Sequence, residues 1–236
     1  MEANPEHKQR IRREAVLFDL DGVIASSEIQ KSETHIDTVL KLKGTPSQRL
    51  TELYVDVIGL SYEDTRDRFL ECGQVVATPE ILESYRSIYR SIYRSKLESV
   101  NLAPGARQLL QTLAARRYRI GLVSSAHAEE VTSILRRHRI ETFFQTIVNA
   151  DSVENHKPSP DPYLEALKLL DLERRPDLAV AFEDTWAGIS AARAAHLKVF
   201  AVRHRFNHKQ NLNEADRIFD SLADVGILPA LEEYLL

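Results

Sequence analysis

Residues 15–24 read AVLFDLDGVI, and no other stretch constrains this chain so tightly. Four apolar residues run into two carboxylates, one residue apart, and then a glycine. A short continuous apolar run is the mark of a strand buried on both faces of a parallel sheet, and ligands in open α/β sheets gather beyond the carboxyl ends of such strands. Asp19 and Asp21 therefore stand where a ligand would be. Two carboxylates this close repel each other, so keeping both ionised calls for a cation, most simply an oxygen-loving one such as Mg²⁺. The competing reading of the stretch alone is a plain turn, because Asp and Gly are common turn residues.

The rest of the chain has the period of an α/β protein. Strand-like runs over 120–123, 146–148, 178–182 and 199–202 alternate with helical patterns over 106–117, 129–138, 160–170 and 187–195. A short edge strand and a closing helix follow residue 215. Such alternation predicts a doubly wound, Rossmann-like parallel sheet with right-handed crossovers. Residues 26–100 break the period. They show amphipathic helical patterns over 28–42, 47–60, 61–72 and 79–95 and no alternating strand, with Ser26, Ser27 and Glu28 expected to cap the first helix. The expected organisation is a core of 1–25 and 101–236 with an all-helical insert at 26–100. Residues 1–14 read as a polar lead-in.

Composition narrows the partners. With 31 basic and 35 acidic side chains the net charge is −4, which gives no global reason to expect a nucleic-acid or membrane partner. Cys72 is the only cysteine, which excludes an internal disulfide and a cysteine-rich zinc site and suits a reducing compartment. No apolar run is long enough to span a membrane, so the expectation is a cytoplasmic protein, a monomer or a small homo-oligomer.

Three further strand ends carry polar residues. Ser124 and Ser125 follow the second core strand, where a hydroxyl and backbone N–H groups suit an oxyanion, although Ser124 also suits a plain helix cap. Lys157 lies in a rigid, proline-rich turn and offers a point charge to a phosphate, although a loop lysine is more often solvated. Glu183 and Asp184 follow the next strand and offer oxygen ligands to a metal, although acids at a helix start also favour its dipole. In this order, Asp19-Leu20-Asp21-Gly22, then Ser124, then Lys157-Pro158, then Glu183-Asp184 with Gly188 beyond, the chain resembles the haloacid dehalogenase superfamily. The similarity is to its phosphatases with a helical cap inserted after the first motif, the branch of β-phosphoglucomutase and phosphoglycolate phosphatase, and spans essentially residues 15–225.

That resemblance implies roles. Asp19 would be the nucleophile that becomes an aspartyl phosphate, and Asp21 the acid that protonates the leaving alcohol and then activates water. Mg²⁺ would be held by Asp19, the backbone carbonyl of Asp21, and Asp184, with Glu183 beside it. Ser124, Ser125 and Lys157 would cradle the phosphate, with Lys157 also keeping Asp19 ionised. The substrate would be a small phosphorylated metabolite, a sugar or sugar-acid phosphate, hydrolysed under the closed cap. The alternatives are a β-phosphoglucomutase-like sugar phosphomutase and a non-catalytic phosphoryl-binding regulatory protein. Two positions depart locally from many relatives: Ser26 where they have aspartate, and His196 where they have glycine. The mutase group has a histidine twelve residues after the nucleophile; here Lys31 stands there and the nearest histidine is His35, which argues for release of phosphate to water. Lys31, Lys43, Arg49, Tyr54 and the Tyr-Arg repeat over 85–96 are the candidate cap contacts, the repeat reading chiefly as a solvated basic face with tyrosines packed beneath. The basic loop 203–209, with His204 and His208, reads as solvated.

Overall fold

In the computed structural model, which describes residues 14–235, the apolar run of the first motif is the central strand β1 (Ala15–Phe18). Most of the polar lead-in expected over 1–14 lies outside the described residues. Strands β4 (Arg119–Val123), β5 (Thr146–Val148), β6 (Ala179–Glu183), β7 (Lys198–Val202) and β8 (Arg217–Phe219) join β1 in a six-stranded sheet of order β5-β4-β1-β6-β7-β8. Every pairing is parallel. The chain builds outward from β1 through β4 and β5, then crosses back to lay β6, β7 and β8 on the other side. The reversal of winding therefore falls at β1, where a crevice opens beyond the strand ends.

Alternation along the strands feeds two cores. Val16 and Phe18 of β1 pack with Phe182, Phe200 and helices α6 (Ala106–Ala115), α7 (Ala128–Arg137) and α10 (Ile227–Leu235). Ala15 and Leu17 pack on the opposite face with α8 (Asp161–Leu169) and α9 (Trp186–Ala194). Phe18 and Phe182 stack at 4.9 Å directly beneath the strand ends, so the floor of the crevice is rigid and dry.

Between the two-residue strands β2 (Ala25–Ser26) and β3 (Asn101–Leu102), which pair antiparallel, the chain is helical. Helices α1 (Glu28–Lys41), α2 (Gln48–Glu52), α3 (Tyr54–Val57), α4 (Tyr62–Cys72) and α5 (Pro79–Lys96) enclose their own apolar cluster around Val39, Leu50, Phe69, Leu70 and Tyr85. The stretch expected as one helix over 47–60 is two short ones. The period of four in the Tyr-Arg repeat does what a helix demands of it. Tyr85, Tyr89 and Tyr93 form one stacked stripe against the interior, at 6.3 and 5.8 Å, while Arg86, Arg90 and Arg94 are exposed. His35 is buried in this cluster, stacked on Phe69 at 4.8 Å and bonded through Nδ1 to the Tyr85 hydroxyl at 2.7 Å. Burial lowers its pKa to about 3, so it is a neutral core histidine.

Candidate active site

The crevice collects its polar groups from four strand ends. Asp19 still belongs to the ladder, its N–H donating to the Phe182 carbonyl at 3.0 Å, and Glu183 ends β6 with Asp184 directly after it. Side-chain oxygens of Asp19, Glu183 and Asp184 lie within 4.8 Å of one another. From the loop after β5, the Lys157 ammonium donates to Asp19 Oδ1 and Glu183 Oε1, each at 2.6 Å, and to the Val123 carbonyl at 2.8 Å. Its three protons are all used, and its side chain is only 6 % exposed. Tyr163 on α8 completes this grip, its hydroxyl donating to Glu183 Oε1 at 2.6 Å.

Charge balance tests whether a metal fits. Among the described residues, three buried carboxylates touch or neighbour one ammonium, leaving negative charge uncompensated where little solvent screens it. Burial pushes Asp19 up to about 7 against the opposing pull of Lys157, and burial together with the Asp19 charge raises Asp184 well above the carboxylate range. Burial alone would lower Lys157, but Asp19 and Glu183 outweigh it and raise it. An all-oxygen, carboxylate-rich set with excess negative charge is the donor set of a hard divalent cation, and Mg²⁺ fits it.

Two glycines make room for this cluster. Gly22 has φ +78°, and a Cβ there would collide with the Asp184 carboxylate and lie 2.9 Å from His204 Nε2. Gly188, inside α9, presents bare backbone to Glu183, whose carboxylate fills the place a Cβ would take.

Asp21 stands apart from the acidic trio. Its Oδ1 accepts from the Ser27 hydroxyl, and its Oδ2 meets Lys31 Nζ at 2.6 Å. Ser27 is thus the residue before α1 but does not cap it with its side chain, because Asp21 takes the hydroxyl. Lys31 also lies 3.8 Å from Glu130, which bonds the Tyr93 hydroxyl at 2.7 Å. Tyr54 donates to Glu28 Oε2 at 2.6 Å near the same seam between helices and sheet. Lys43 and Arg49 are exposed, Arg49 pairing with Asp56 at 2.6 Å. Ser124 is buried at the end of β4 and its Oγ accepts the Ala126 N–H at 3.0 Å, a turn contact that leaves its proton free to donate; Ser125 beside it is exposed.

The loop 203–209 is not the solvated segment its sequence suggests. His204 is not solvated: its Nε2 lies 2.8 Å from Asp184 Oδ2, with the side chain 19 % exposed. Burial lowers its pKa to about 4. Asn207 is buried, its amide donating to the carbonyls of Asp184 at 2.9 Å and Val202 at 2.8 Å. Only His208 in this loop keeps the expected exposed position among the histidines. Tyr163, Asn207 and His204 were invisible as site residues in the sequence; each reaches the site across the packing of β6, β7 and α8 rather than through a motif.

Fold and site together define an α/β enzyme built around an acidic, oxygen-donor centre at the switch point of a parallel sheet. The family model of haloacid dehalogenase-like hydrolases matches residues 16–202, and the chain belongs to that family. It is 29% identical over 206 residues to a phosphorylated carbohydrates phosphatase of Thermotoga maritima, covering 87% of this chain and 92% of that one. It is 28% identical over 222 residues to pyrophosphatase PpaX of Bacillus cereus, covering 92% and 96%. Among solved structures, CbbY from Rhodobacter sphaeroides in complex with phosphate superposes with a TM-score of 0.75 at 26% identity, over 90% of this chain and 96% of that one. No helix of the described residues is long and apolar enough to cross a membrane.

Proposed function

We propose that this hydrolase is a Mg²⁺-dependent phosphomonoesterase acting on a small phosphorylated carbohydrate, a sugar or sugar-acid phosphate, through a covalent phosphoryl group on Asp19. The observation that carries the reading is the grip of Lys157 on Asp19, with Glu183 and Asp184 beside it and Asp21 two residues along the chain. A buried ammonium at 2.6 Å favours the anionic form of Asp19 against its burial and aims the carboxylate. An Asp19 oxygen attacks phosphorus, the bond to the leaving oxygen breaks, and Asp21 gives that oxygen its proton. Asp21, now ionised, takes a proton from water as the water attacks phosphorus, the bond to Asp19 breaks, and phosphate leaves. Asp19, Asp184 and the Asp21 backbone carbonyl would hold the cation, with Glu183 behind them; Mg²⁺, when bound, supplies charge that lets a carboxylate approach an anionic phosphoryl group. Ser124 and the Ser125 N–H receive the phosphoryl oxygens, and Lys157 adds its positive charge beside them, donating to the phosphoryl group only in exchange for one of its three present bonds.

Residues 26–100 act in this reading as the cap over a core of 1–25 and 101–236. Both Asp21 oxygens are engaged by Ser27 and Lys31 in the structure, so a substrate must displace Lys31 to reach Asp21. His35, the histidine nearest the mutase position, is locked into the helical cluster, which favours hydrolysis over phosphoryl return to a sugar. The test is phosphate release from a panel of sugar phosphates, sugar-acid phosphates, pyrophosphate and p-nitrophenyl phosphate, with Mg²⁺ and with EDTA. We expect Mg²⁺-dependent release that Asp19→Asn abolishes; conversion of a sugar 1-phosphate to its 6-phosphate without free phosphate would overturn the reading.

A further inference from the structure

We infer that His204 is a positioning residue for the metal ligand Asp184, holding one carboxylate oxygen so that the other faces the cation. The inference rests on the metal site proposed above. The Phe206 N–H donates to His204 Nδ1 at 3.3 Å, so Nδ1 carries no proton and the neutral ring bears its hydrogen on Nε2. That Nε2–H donates to Asp184 Oδ2 at 2.8 Å. A ligating carboxylate gains orientation from such a donor, and loss of partners of this kind commonly costs ten- to a hundredfold in metal affinity.

The seat of the imidazole is itself built. Asn207 Oδ1 accepts the His204 N–H at 2.9 Å, while the same amide's nitrogen clamps the Asp184 carbonyl at 2.9 Å, so one buried side chain fixes both the histidine and its carboxylate partner. Gly22 leaves the space into which His204 Nε2 and Asp184 project. Beyond the imidazole, Phe206 packs edge-on against Tyr54 at 5.8 Å, and Gln210 bonds both the Trp186 N–H at 3.1 Å and the Ile58 carbonyl at 2.9 Å. The loop is therefore a strap anchored on both the sheet and the helical layer, which keeps His204 from swinging into solvent.

The test uses the reach of the side chain. In His204→Gln the amide nitrogen can take the place of Nε2, whereas in His204→Asn it falls short by one methylene; both residues suit a half-buried loop. Trp186, the single tryptophan, lies two residues after Asp184, so its fluorescence is the readout of Mg²⁺ binding that needs no turnover. We expect the Asn variant to need about tenfold more Mg²⁺ for half-saturation and the Gln variant to stay within about threefold of the parent. Circular dichroism of the metal-free proteins should coincide. Parent-like Mg²⁺ affinity in the Asn variant overturns the role of His204, whereas a parent protein with no Mg²⁺ response by fluorescence or thermal shift overturns the metal site itself.

Discussion

Gly188→Ala puts the account of the acidic cluster to a test whose sign is unusual. Inside an exposed helix such a change normally stabilises by about 0.5–1 kcal/mol, because alanine loses less chain entropy on folding. At Gly188 the new methyl would occupy the position of the Glu183 carboxylate. That carboxylate is 1 % exposed and pinned by Lys157 and Tyr163, both at 2.6 Å, so it cannot give way by about 1 Å without breaking both bonds. Breaking one partner of a buried ion pair costs about 3–5 kcal/mol. Set against the helix gain, the net loss is about 2–4 kcal/mol, a fall in Tm on the order of 10 °C for a chain of this size. Lys157 would lose half of its carboxylate partners and let Asp19 drift, and a misplacement near 1 Å costs about a hundredfold in rate. Differential scanning calorimetry and p-nitrophenyl phosphate turnover read the two effects. A variant as stable and as active as the parent would refute the reading that Glu183 is pinned by Lys157 and Tyr163 and cannot yield to the new methyl.

Other consequences follow from the same geometry. Gly22→Ala should abolish both Mg²⁺ binding and turnover, since its methyl meets the Asp184 carboxylate and the backbone sits at φ +78°; isothermal titration with Mg²⁺ checks it. Lys31→Met should lower kcat/KM for the best sugar phosphate by about tenfold while leaving p-nitrophenyl phosphate within threefold, as expected for a charged contact on the cap side of the substrate; equal losses on both would place Lys31 in the chemistry instead. In metal-free protein the folded value of Asp19, about 7, lies above its unfolded 3.8, so the folded state binds the extra proton. Its contribution is present below the unfolded value and is lost as pH rises through about 7, and Asp184 shifts the same way. Mg²⁺ offsets that loss, so the gain in Tm on adding saturating Mg²⁺ should grow from about pH 5 to about pH 8, and a gain independent of pH would contradict the assignment.

The parts of the site legible in the sequence are those carried by a strand and its end. An apolar run followed at once by acids, a serine or a Glu-Asp pair announces both the strand and its exit, so β1, β4 and β6 and the groups after them could be read directly. Lys157 was legible only through its place in the order of motifs; its three-way grip depends on the path of the loop after β5. Loop 203–209 misled because its sequence is that of any polar loop. The partner of His204 is 20 residues away, brought there by the register of β6 against β7, and no local pattern encodes that. Ser27 misled for the complementary reason. A serine before a helix reads as a cap, and only the tertiary position of Asp21 takes its hydroxyl away. In the helical layer the single amphipathic stretch over 47–60 hides the break at Leu53, because both short helices and Leu53 itself feed one apolar cluster.

If Asp19 carries the phosphoryl group, the covalent enzyme can be trapped. Asp21→Asn enzyme mixed with p-nitrophenyl phosphate, whose nitrophenolate leaves without needing a proton, should stall before water attacks. Acid quenching, borohydride reduction and peptide mass spectrometry would then find position 19 reduced to homoserine, the product of an acyl phosphate at that carboxylate. Nitrophenolate release with Asp19 unmodified, or with the label on another residue, would contradict the account.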